Sequence, residues 1–94
     1  MAYAKNAKTK EKNMKITIYS TKTCAYCNML KKWLDDKDVK YTVYNVDENP
    51  IAAQNMIRIS GQMGVPFSTV EYEDGQTTNI LGFDRQKFDA ALAK

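Results

Sequence analysis

The sequence predicts one small α/β domain whose elements follow the order βαβαββα. Three observations support this prediction. At 94 residues, the chain has the length of a single domain with one core. Two strand-like segments in its first half each precede a helix-like segment, and an Asp-Gly pair further on separates two more strand-like segments. With 44% hydrophobic and 27% charged residues, the composition is typical of a globular domain.

Hydrophobic periodicity predicts the first strand and the first helix. Residues 15–20 alternate polar and apolar side chains and are rich in β-branched residues, which indicates a strand. From about residue 25 to residue 37, the apolar residues Cys27, Leu30 and Leu34 recur at intervals of three and four. This spacing predicts a helix with one buried stripe. The first cysteine of the chain therefore lies at the start of that helix.

The second strand and the second helix follow the same pattern. Residues 41–46 predict a strand, and a strand–helix–strand run of this length predicts a right-handed parallel crossover. The next helix is predicted over residues 50–60. Asn49 is suited to cap it, Pro50 to its first turn, and Gly61 to end it in a left-handed conformation.

A hairpin and a last helix complete the predicted domain. Two strands, residues 67–72 and 77–81, flank a turn that contains Asp-Gly, which is a strong hairpin signal. Asp84 is the predicted N-cap of the last helix. Phe83 precedes this cap, and we expect it to pack on Phe88 as a hydrophobic staple that fixes how the chain enters the helix.

The net charge of +3 comes entirely from the N-terminal segment. Residues 1–13 carry four lysines and one glutamate, and ten basic and ten acidic residues are interspersed along the rest of the chain. A nucleic-acid-binding face needs Lys and Arg clustered within the folded part. We therefore expect no nucleic-acid partner. We interpret residues 1–13 as a basic, disordered N-terminal extension and residues 14–94 as the domain.

The cysteine count directs attention to redox chemistry. The chain has no run of ~18 apolar residues, and its N-terminus lacks the apolar core of a secretory signal. We therefore expect a cytoplasmic protein without membrane contact. Two cysteines do not form a permanent structural staple in such a reducing compartment. Their spacing, Cys24-Ala25-Tyr26-Cys27, is then the most informative feature of the sequence.

Three motifs carry a resemblance to a known family. They are residues 19–27, which end in Cys-Ala-Tyr-Cys, then Gly64-Val65-Pro66, and then Gly82-Phe83-Asp84. In this order and spacing they resemble the glutaredoxin-like redoxins over about residues 14–94. The resemblance implies a minimal thioredoxin fold with a four-stranded mixed sheet, helices on both faces, and a cis Val65–Pro66 bond that faces the cysteines. It also implies a monomeric thiol–disulfide oxidoreductase that reduces protein disulfides or glutathione mixed disulfides without a tightly bound cofactor.

The chemistry of the two cysteines agrees with that activity. Free cysteine has a pKa near 8.5, but a helix N-terminus offers unpaired N–H donors and a positive dipole end that favour the thiolate. Cys24 lies at that position and is the expected nucleophile. Cys27 projects from the next turn toward the same side and is the expected resolving thiol. Lys22 is a further candidate for favouring the thiolate, or else a solvated loop lysine.

The family motifs also suggest where a substrate binds. In the family, the residue before this proline pairs its main-chain N–H and C=O with an extended substrate, which implies this role for Val65 beside Pro66. The segment Gly82-Phe83-Asp84 precedes a helix N-terminus. The N–H groups there either receive a carboxylate of glutathione or are capped by Asp84 itself.

Four apolar side chains near these motifs need an assignment. Tyr26 is expected to form one wall of the substrate groove, or to be a half-buried amphipathic ring. Met29, Met56 and Met63 are expected to fill the core, as methionine side chains often do.

Three positions depart from the glutathione-using members of the family. Ala25 replaces the usual proline between the cysteines, and Thr21 replaces the usual basic residue three positions before the nucleophile. Gly82-Phe83 replaces the usual Gly-Gly pair. This pattern with one glycine also resembles redoxins that thioredoxin reductase reduces. Glutathione and thioredoxin reductase therefore both remain candidate electron donors.

An alternative function makes Cys24 a metal ligand. Ala25 resembles the residue found in glutaredoxins that share an iron–sulfur cluster between two copies through the first cysteine and glutathione. A zinc site is not expected, because structural zinc takes four ligands and the chain has two cysteines and no histidine. A purely binding module is expected to lose a cysteine of the pair, and this chain keeps both.

Overall fold

The computed structural model describes residues 14–93, which form seven regular elements. They are β1 (Met14–Ser20), α1 (Ala25–Asp36), β2 (Thr42–Asn45), α2 (Pro50–Ser60), β3 (Phe67–Tyr72), β4 (Thr77–Leu81) and α3 (Arg85–Leu92). This order confirms the predicted βαβαββα pattern. The predicted extension over residues 1–13 lies outside the described residues. Among the helices of the described range, α1 is the longest at 12 residues, and none is long and apolar enough to cross a membrane.

The strands form one mixed sheet in the order β2-β1-β3-β4. β1 and β2 are parallel, with Thr17 opposite Thr42, which confirms the parallel arrangement predicted for the crossover. β3 is antiparallel to both β1 and β4, with Ser68 opposite Ile18 on one side and Ile80 on the other. The end of β1, the end of β2, the start of β3 and the end of β4 therefore meet at one edge of the sheet. We call this edge the cysteine end.

The core is divided between the two faces of the sheet, which confirms helices on both sides. On one face, α1 and α3 pack against the strands in a cluster of Ile16, Ile18, Leu30, Leu34, Val70, Ile80, Phe88 and Ala91. On the other face, α2 packs in a smaller cluster of Tyr19, Ala52, Met56 and Phe67. Burial of a large apolar side chain in such a cluster stabilises the fold by roughly 1.5–3 kcal/mol.

The predicted boundaries of α2 are confirmed, because they depend on local chemistry. The side chain of Asn49 accepts a hydrogen bond from the N–H of Ala52 at 3.1 Å, and Pro50 lies in the first turn. The helix ends at Gly61, whose φ of +74° is left-handed and whose N–H donates to the carbonyl of Ile57 at 2.7 Å.

The start of α3 involves a third aromatic ring that the prediction did not include. Asp84 is the N-cap, as predicted. Trp33 of α1 contacts both rings of the expected staple, with ring centroids 5.9 Å from Phe83 and 6.0 Å from Phe88. Phe83 thus packs into the same cluster as Phe88 with Trp33 against both rings. The two rings of the predicted staple are thus linked through Trp33, which joins the start of α3 to α1.

Candidate active site

Three segments meet at the cysteine end of the sheet. The loop between β1 and α1 carries Cys24, the loop before β3 carries the Val65–Pro66 bond, and a short segment connects β4 to α3. One hydrogen bond joins the last two of these segments, and another joins the end of β1 to the residue after β2. The N–H of Gly82 donates to the carbonyl of Pro66 at 2.7 Å, and the N–H of Val46 donates to the carbonyl of Ser20 at 2.8 Å.

Cys24 is the N-cap of α1, the position that the sequence predicts for the nucleophile. Its backbone is extended, with φ −82° and ψ +111°, and its sulfur accepts a hydrogen bond from the N–H of Cys27 at 3.1 Å. Its carbonyl accepts the N–H of Asn28 at 3.1 Å. The sulfur thus lies at the positive end of the helix dipole and receives one of the N–H groups that the helix leaves unpaired. Both effects favour a thiolate at Cys24.

The two cysteines form a disulfide and differ in accessibility. Their Cα atoms are 5.2 Å apart, within the range of ordinary disulfides. Cys24 is partly exposed, whereas Cys27 has no exposed surface and lies on the buried stripe of α1. An incoming sulfur can therefore reach Cys24 from solvent, while Cys27 is accessible only to Cys24.

The structure pairs the charge of Lys22 with an acidic loop. The side-chain Nζ of Lys22 lies 2.9 Å from a carboxylate oxygen of Glu48. The main-chain N–H of Lys22 donates to the carboxylate of Asp47 at 3.2 Å. The hydrogen bond to Glu48, together with the charge of that residue, raises the pKa of Lys22 above its usual value. Lys22 therefore ties the loop before Cys24 to the loop after β2. Sequence reasoning missed this pair, because the partners are far apart in the chain.

The Val65–Pro66 bond is cis, as the family resemblance implied. Pro66 is buried, and Val65 packs against the α2 cluster. Sequence reasoning missed Gln62, whose side-chain amide accepts a hydrogen bond from the N–H of Gly64 and donates to its carbonyl at 3.1 Å. A Cβ at Gly64 would lie 2.7 Å from the side-chain oxygen of Gln62. Gly64 therefore lets this amide hold the loop just before Val65.

The segment between β4 and α3 shows which group caps the last helix. Gly82 has a left-handed φ of +81°, which favours glycine at this point. The carboxylate of Asp84 accepts the N–H of Lys87 at 3.1 Å. Of the two interpretations of this segment from the sequence, self-capping by Asp84 is therefore the one present in the structure. The ring of Phe83 contacts Trp33 and packs against the core.

Exposed apolar side chains lie in α1 and in the loop before β3, which corrects part of the prediction. Met56 is buried, as expected, but Met29 and Met63 are exposed, with Met63 at 73%. Tyr26 is also exposed, at 64%, so it is not a half-buried ring. Met29 lies beside the buried stripe of α1 and Met63 lies in the loop before Val65, which explains why neither fills the core. These side chains are available to contact a partner near Cys24.

The geometry of the site agrees with a match to a known family. Residues 16–67, which include both cysteines and the cis proline, match the family model for glutaredoxin. The chain belongs to the glutaredoxin family. It is a glutaredoxin-like redox protein, and Cys24 and Cys27 form its Cys-x-x-Cys pair. Within residues 14–93, this glutaredoxin has no cluster of three or more His, Cys, Asp or Glu side chains that could hold a metal ion.

Relatives and solved structures agree with this assignment. The glutaredoxin-like 8.6 kDa protein in the rubredoxin operon of Clostridium pasteurianum is 33% identical over 79 residues, which are 84% of this chain and 99% of that protein. Methanoredoxin of Methanosarcina acetivorans superimposes with a TM-score of 0.68 at 28% identity, over 85% of each chain. NrdH-redoxin of Escherichia coli gives a TM-score of 0.64 at 26% identity, over 81% of this chain and 92% of the other. The fold of this glutaredoxin is thus thioredoxin-like.

Proposed function

We propose that this glutaredoxin reduces disulfides of proteins, or mixed disulfides with glutathione, by a mechanism that uses both cysteines. The observation that carries the proposal is the asymmetry of the pair. Cys24 is partly exposed at a helix N-terminus and receives an N–H hydrogen bond, whereas Cys27 is completely buried one turn further along. This is the arrangement that separates an attacking thiol from a resolving thiol.

The first step is attack by the Cys24 thiolate on one sulfur of a substrate disulfide. A sulfur–sulfur bond forms between Cys24 and the substrate, and the other substrate sulfur leaves as a thiolate and takes a proton from solvent. In the second step, the Cys27 thiolate attacks Cys24. The substrate leaves as its second thiol, and the Cys24–Cys27 disulfide remains, which is the form in the structure. Two electrons pass from the cysteine pair to the substrate.

The substrate chain is proposed to lie along the loop before β3. Among residues 14–93, neither the N–H nor the C=O of Val65 has a hydrogen-bond partner. Both groups are available to pair with an extended segment that is added as a strand. The exposed side chains of Tyr26, Met29 and Met63 supply apolar surface for the rest of the contact. The binding role of Val65 rests on its main chain, so we expect its side chain to tolerate other residues of similar size.

We propose that the electron donor is thioredoxin reductase, which supplies electrons from a protein dithiol, and not glutathione. The N–H of Lys87, which could receive a glutathione carboxylate, is already hydrogen-bonded to Asp84. Thr21 stands where glutathione-using relatives carry a basic residue, and the ammonium group of Lys22 is paired with Glu48. The NrdH-redoxin of Escherichia coli, with which this chain shares its fold, is described by a thioredoxin-like activity profile.

A coupled assay tests the proposal. The purified protein is supplied with a disulfide protein substrate and NADPH, either with thioredoxin reductase or with glutathione and its reductase. We expect NADPH oxidation that depends on this protein, and a faster rate with thioredoxin reductase. Cys24→Ser is the control that should be inactive with both donors. Faster turnover with glutathione would contradict the proposed donor, and activity with neither donor would contradict the proposed function.

The same preparation tests the alternative of a shared iron–sulfur cluster. A disulfide reductase gives a colourless protein whose thiols are oxidised and reduced reversibly. A brown anaerobic preparation, with visible absorption that requires Cys24 and glutathione, would instead indicate cluster binding.

A further inference from the structure

One buried hydroxyl group in the structure has no hydrogen-bond partner. The Oγ of Ser68 is completely buried and unpaired within residues 14–93. Buried polar groups are nearly always hydrogen-bonded, because an unpaired one loses its water without compensation. Ser68 therefore needs an explanation that the oxidised structure alone does not contain.

Ser68 lies in the layer of side chains between the sheet and α1. Ser68 lies opposite Ile18 and Ile80, so its side chain shares their face of the sheet, where Leu30 of α1 packs. On this face it is the residue of β3 nearest the cysteine end. Cys27 lies about one turn nearer that end than Leu30, on the same buried stripe. Ser68 and Cys27 thus occupy the same buried layer at the same end of the sheet.

The polar groups of this layer are few. Ser20 and Ser68 are the only polar side chains that are fully buried among residues 14–93, and no charged side chain in that range is buried. Ser20 lies two positions beyond Ile18 on the same face, and its Oγ donates to the carbonyl of Thr21 at 3.1 Å. A serine hydroxyl has one proton to donate. The proton of Ser20 is therefore already used, whereas that of Ser68 is available.

We propose that Ser68 is a positioning residue for Cys27, and that its hydroxyl donates a hydrogen bond to the Cys27 sulfur once the disulfide opens. This inference rests on the proposed function, because it concerns the resolving step. A thiolate is a much stronger acceptor than a disulfide sulfur, since hydrogen bonds to charged groups are the strong ones. The Ser68 hydroxyl is unpaired in the oxidised form, and release of Cys27 from the disulfide lets its sulfur approach that hydroxyl in the reduced form.

With this hydrogen bond, the resolving step proceeds in a definite order. While the Cys24–Cys27 bond is open, the Cys27 thiol gives its proton to a water molecule, and the resulting thiolate is held by Ser68, which keeps its own proton throughout. The thiolate attacks the Cys24 sulfur, so that the Cys24–Cys27 bond forms while the bond from Cys24 to the substrate breaks. The substrate leaves as a thiolate and takes up a proton from solvent. Burial alone disfavours the Cys27 thiolate, and the Ser68 hydroxyl opposes that effect.

Two measurable quantities depend on this hydrogen bond. Ser68→Ala removes a donor to the Cys27 thiolate, so it raises the pKa of the Cys27 thiol. It also removes an unpaired hydroxyl from the oxidised form and a hydrogen bond from the reduced form. Both changes favour the disulfide, so the oxidised fraction rises in a given thiol buffer. A purely structural role for Ser68 would change the overall stability without moving either quantity.

The experiment compares Ser68→Ala with Ser20→Ala, which removes the other buried hydroxyl of the layer. The pKa of Cys27 is measured in the Cys24→Ser background from the pH dependence of its ¹³Cβ chemical shift. We expect an increase of about one unit for Ser68→Ala and no change for Ser20→Ala. The ratio of disulfide to dithiol is measured separately, with both cysteines present, in glutathione buffers. We expect this ratio to rise about tenfold in Ser68→Ala, equivalent to a potential about 30 mV more negative.

A second pair of variants, matched in size, separates loss of the hydroxyl from a general effect on folding. Ser68→Thr keeps the hydroxyl and Ser68→Val replaces it with a methyl group of similar size, so we expect the pKa increase only in the valine variant. An unchanged Cys27 pKa and an unchanged disulfide ratio in folded Ser68→Ala would overturn the role of Ser68. Both are equilibrium measurements, so neither depends on the rate at which the protein reduces a disulfide substrate. An inactive enzyme with a shifted Cys27 pKa would therefore contradict the proposed function and leave the role of Ser68 supported.

Discussion

The N-termini of α1 and α3 share one geometry but carry different atoms. At α3 the carboxylate of Asp84 accepts the N–H of Lys87 at 3.1 Å, and at α1 the sulfur of Cys24 accepts the N–H of Cys27 at the same distance. Both cap residues have an extended backbone. Aspartate is among the best N-caps, whereas cysteine is not a preferred one. Helix α1 therefore gives up part of the stabilisation of a cap and gains a reactive sulfur at its positive end.

The residue that donates to the cap also differs between the two helices. At α3 this residue is Lys87, whose side chain is exposed. At α1 it is Cys27, whose side chain is completely buried. The spacing of three residues thus serves two purposes in α1, because it satisfies the cap and also places the second sulfur within bonding distance of the first. Variants at the two helix ends separate these purposes.

The largest effect is expected from Cys24→Ser, which exchanges the sulfur of the cap for oxygen. Disulfide reduction should be lost completely, because the thiolate nucleophile is removed. The free energy of unfolding, measured with urea under reducing conditions, should be equal to or higher than that of the wild type, since serine is a preferred N-cap. A large loss of stability would mean that the sulfur itself stabilises α1. Disulfide reduction that persists would show that Cys24 is not the nucleophile.

A partial loss of activity is expected from Cys27→Ser, which leaves the cap sulfur in place. Without the resolving thiol, Cys24 should accumulate as a mixed disulfide with protein substrates, which mass spectrometry detects. Some activity should remain where added glutathione resolves that intermediate.

Alkylation of the reduced wild-type protein provides the control for this difference between the cysteines. Limiting iodoacetamide at neutral pH should modify Cys24 first, because Cys27 is buried. Equal labelling of both thiols would contradict the assignment.

The features that the sequence predicted correctly are mostly local. Asn49, Gly61 and Asp84 act within one turn of the helix that each begins or ends, so residue type and position suffice to identify them. The cysteine pair and the cis bond were recognised because both fall within family motifs.

The features that the sequence did not reveal depend on the folded arrangement. The ion pair of Lys22 with Glu48 joins two loops that only the sheet brings together. Residue type also misled the prediction for Met29 and Met63, because methionine occurs both in cores and at exposed contact surfaces. The position of Met29 beside the stripe of Cys27 and Leu30 was a signal that could have corrected it. Periodicity alone cannot show that a buried hydroxyl such as that of Ser68 lacks a partner.

A smaller effect, on stability alone, is expected from Asp84→Ala. Loss of the cap should lower the free energy of unfolding by about 1 kcal/mol, as measured by urea denaturation. The disulfide-to-dithiol ratio in glutathione buffers should not change, because α3 carries no sulfur. Asn49→Ala, which removes the equivalent hydrogen bond at α2, is the matched control and should cost a similar amount. A changed redox ratio in Asp84→Ala alone would show that the α3 terminus influences the cysteine pair.

The smallest effect is expected at the opposite end of α1, where Tyr41 donates a hydrogen bond to the carboxylate of Asp35 at 2.8 Å. Burial, followed by the hydrogen bond and the charge of Asp35, raises the pKa of Tyr41 to about 12. The unfolded chain then loses this proton first, near pH 10, so the stability that Tyr41 contributes is complete below about pH 10 and is lost as pH rises toward 12. Asp35→Asn should lower the pKa of Tyr41 only in part, because burial is the largest cause, and it should leave the redox ratio unchanged. Absorbance titration of the phenol measures the shift, with Tyr41→Phe identifying the signal, and a Tyr41 pKa near 10 in the wild type would contradict this description of the α1 C-terminus.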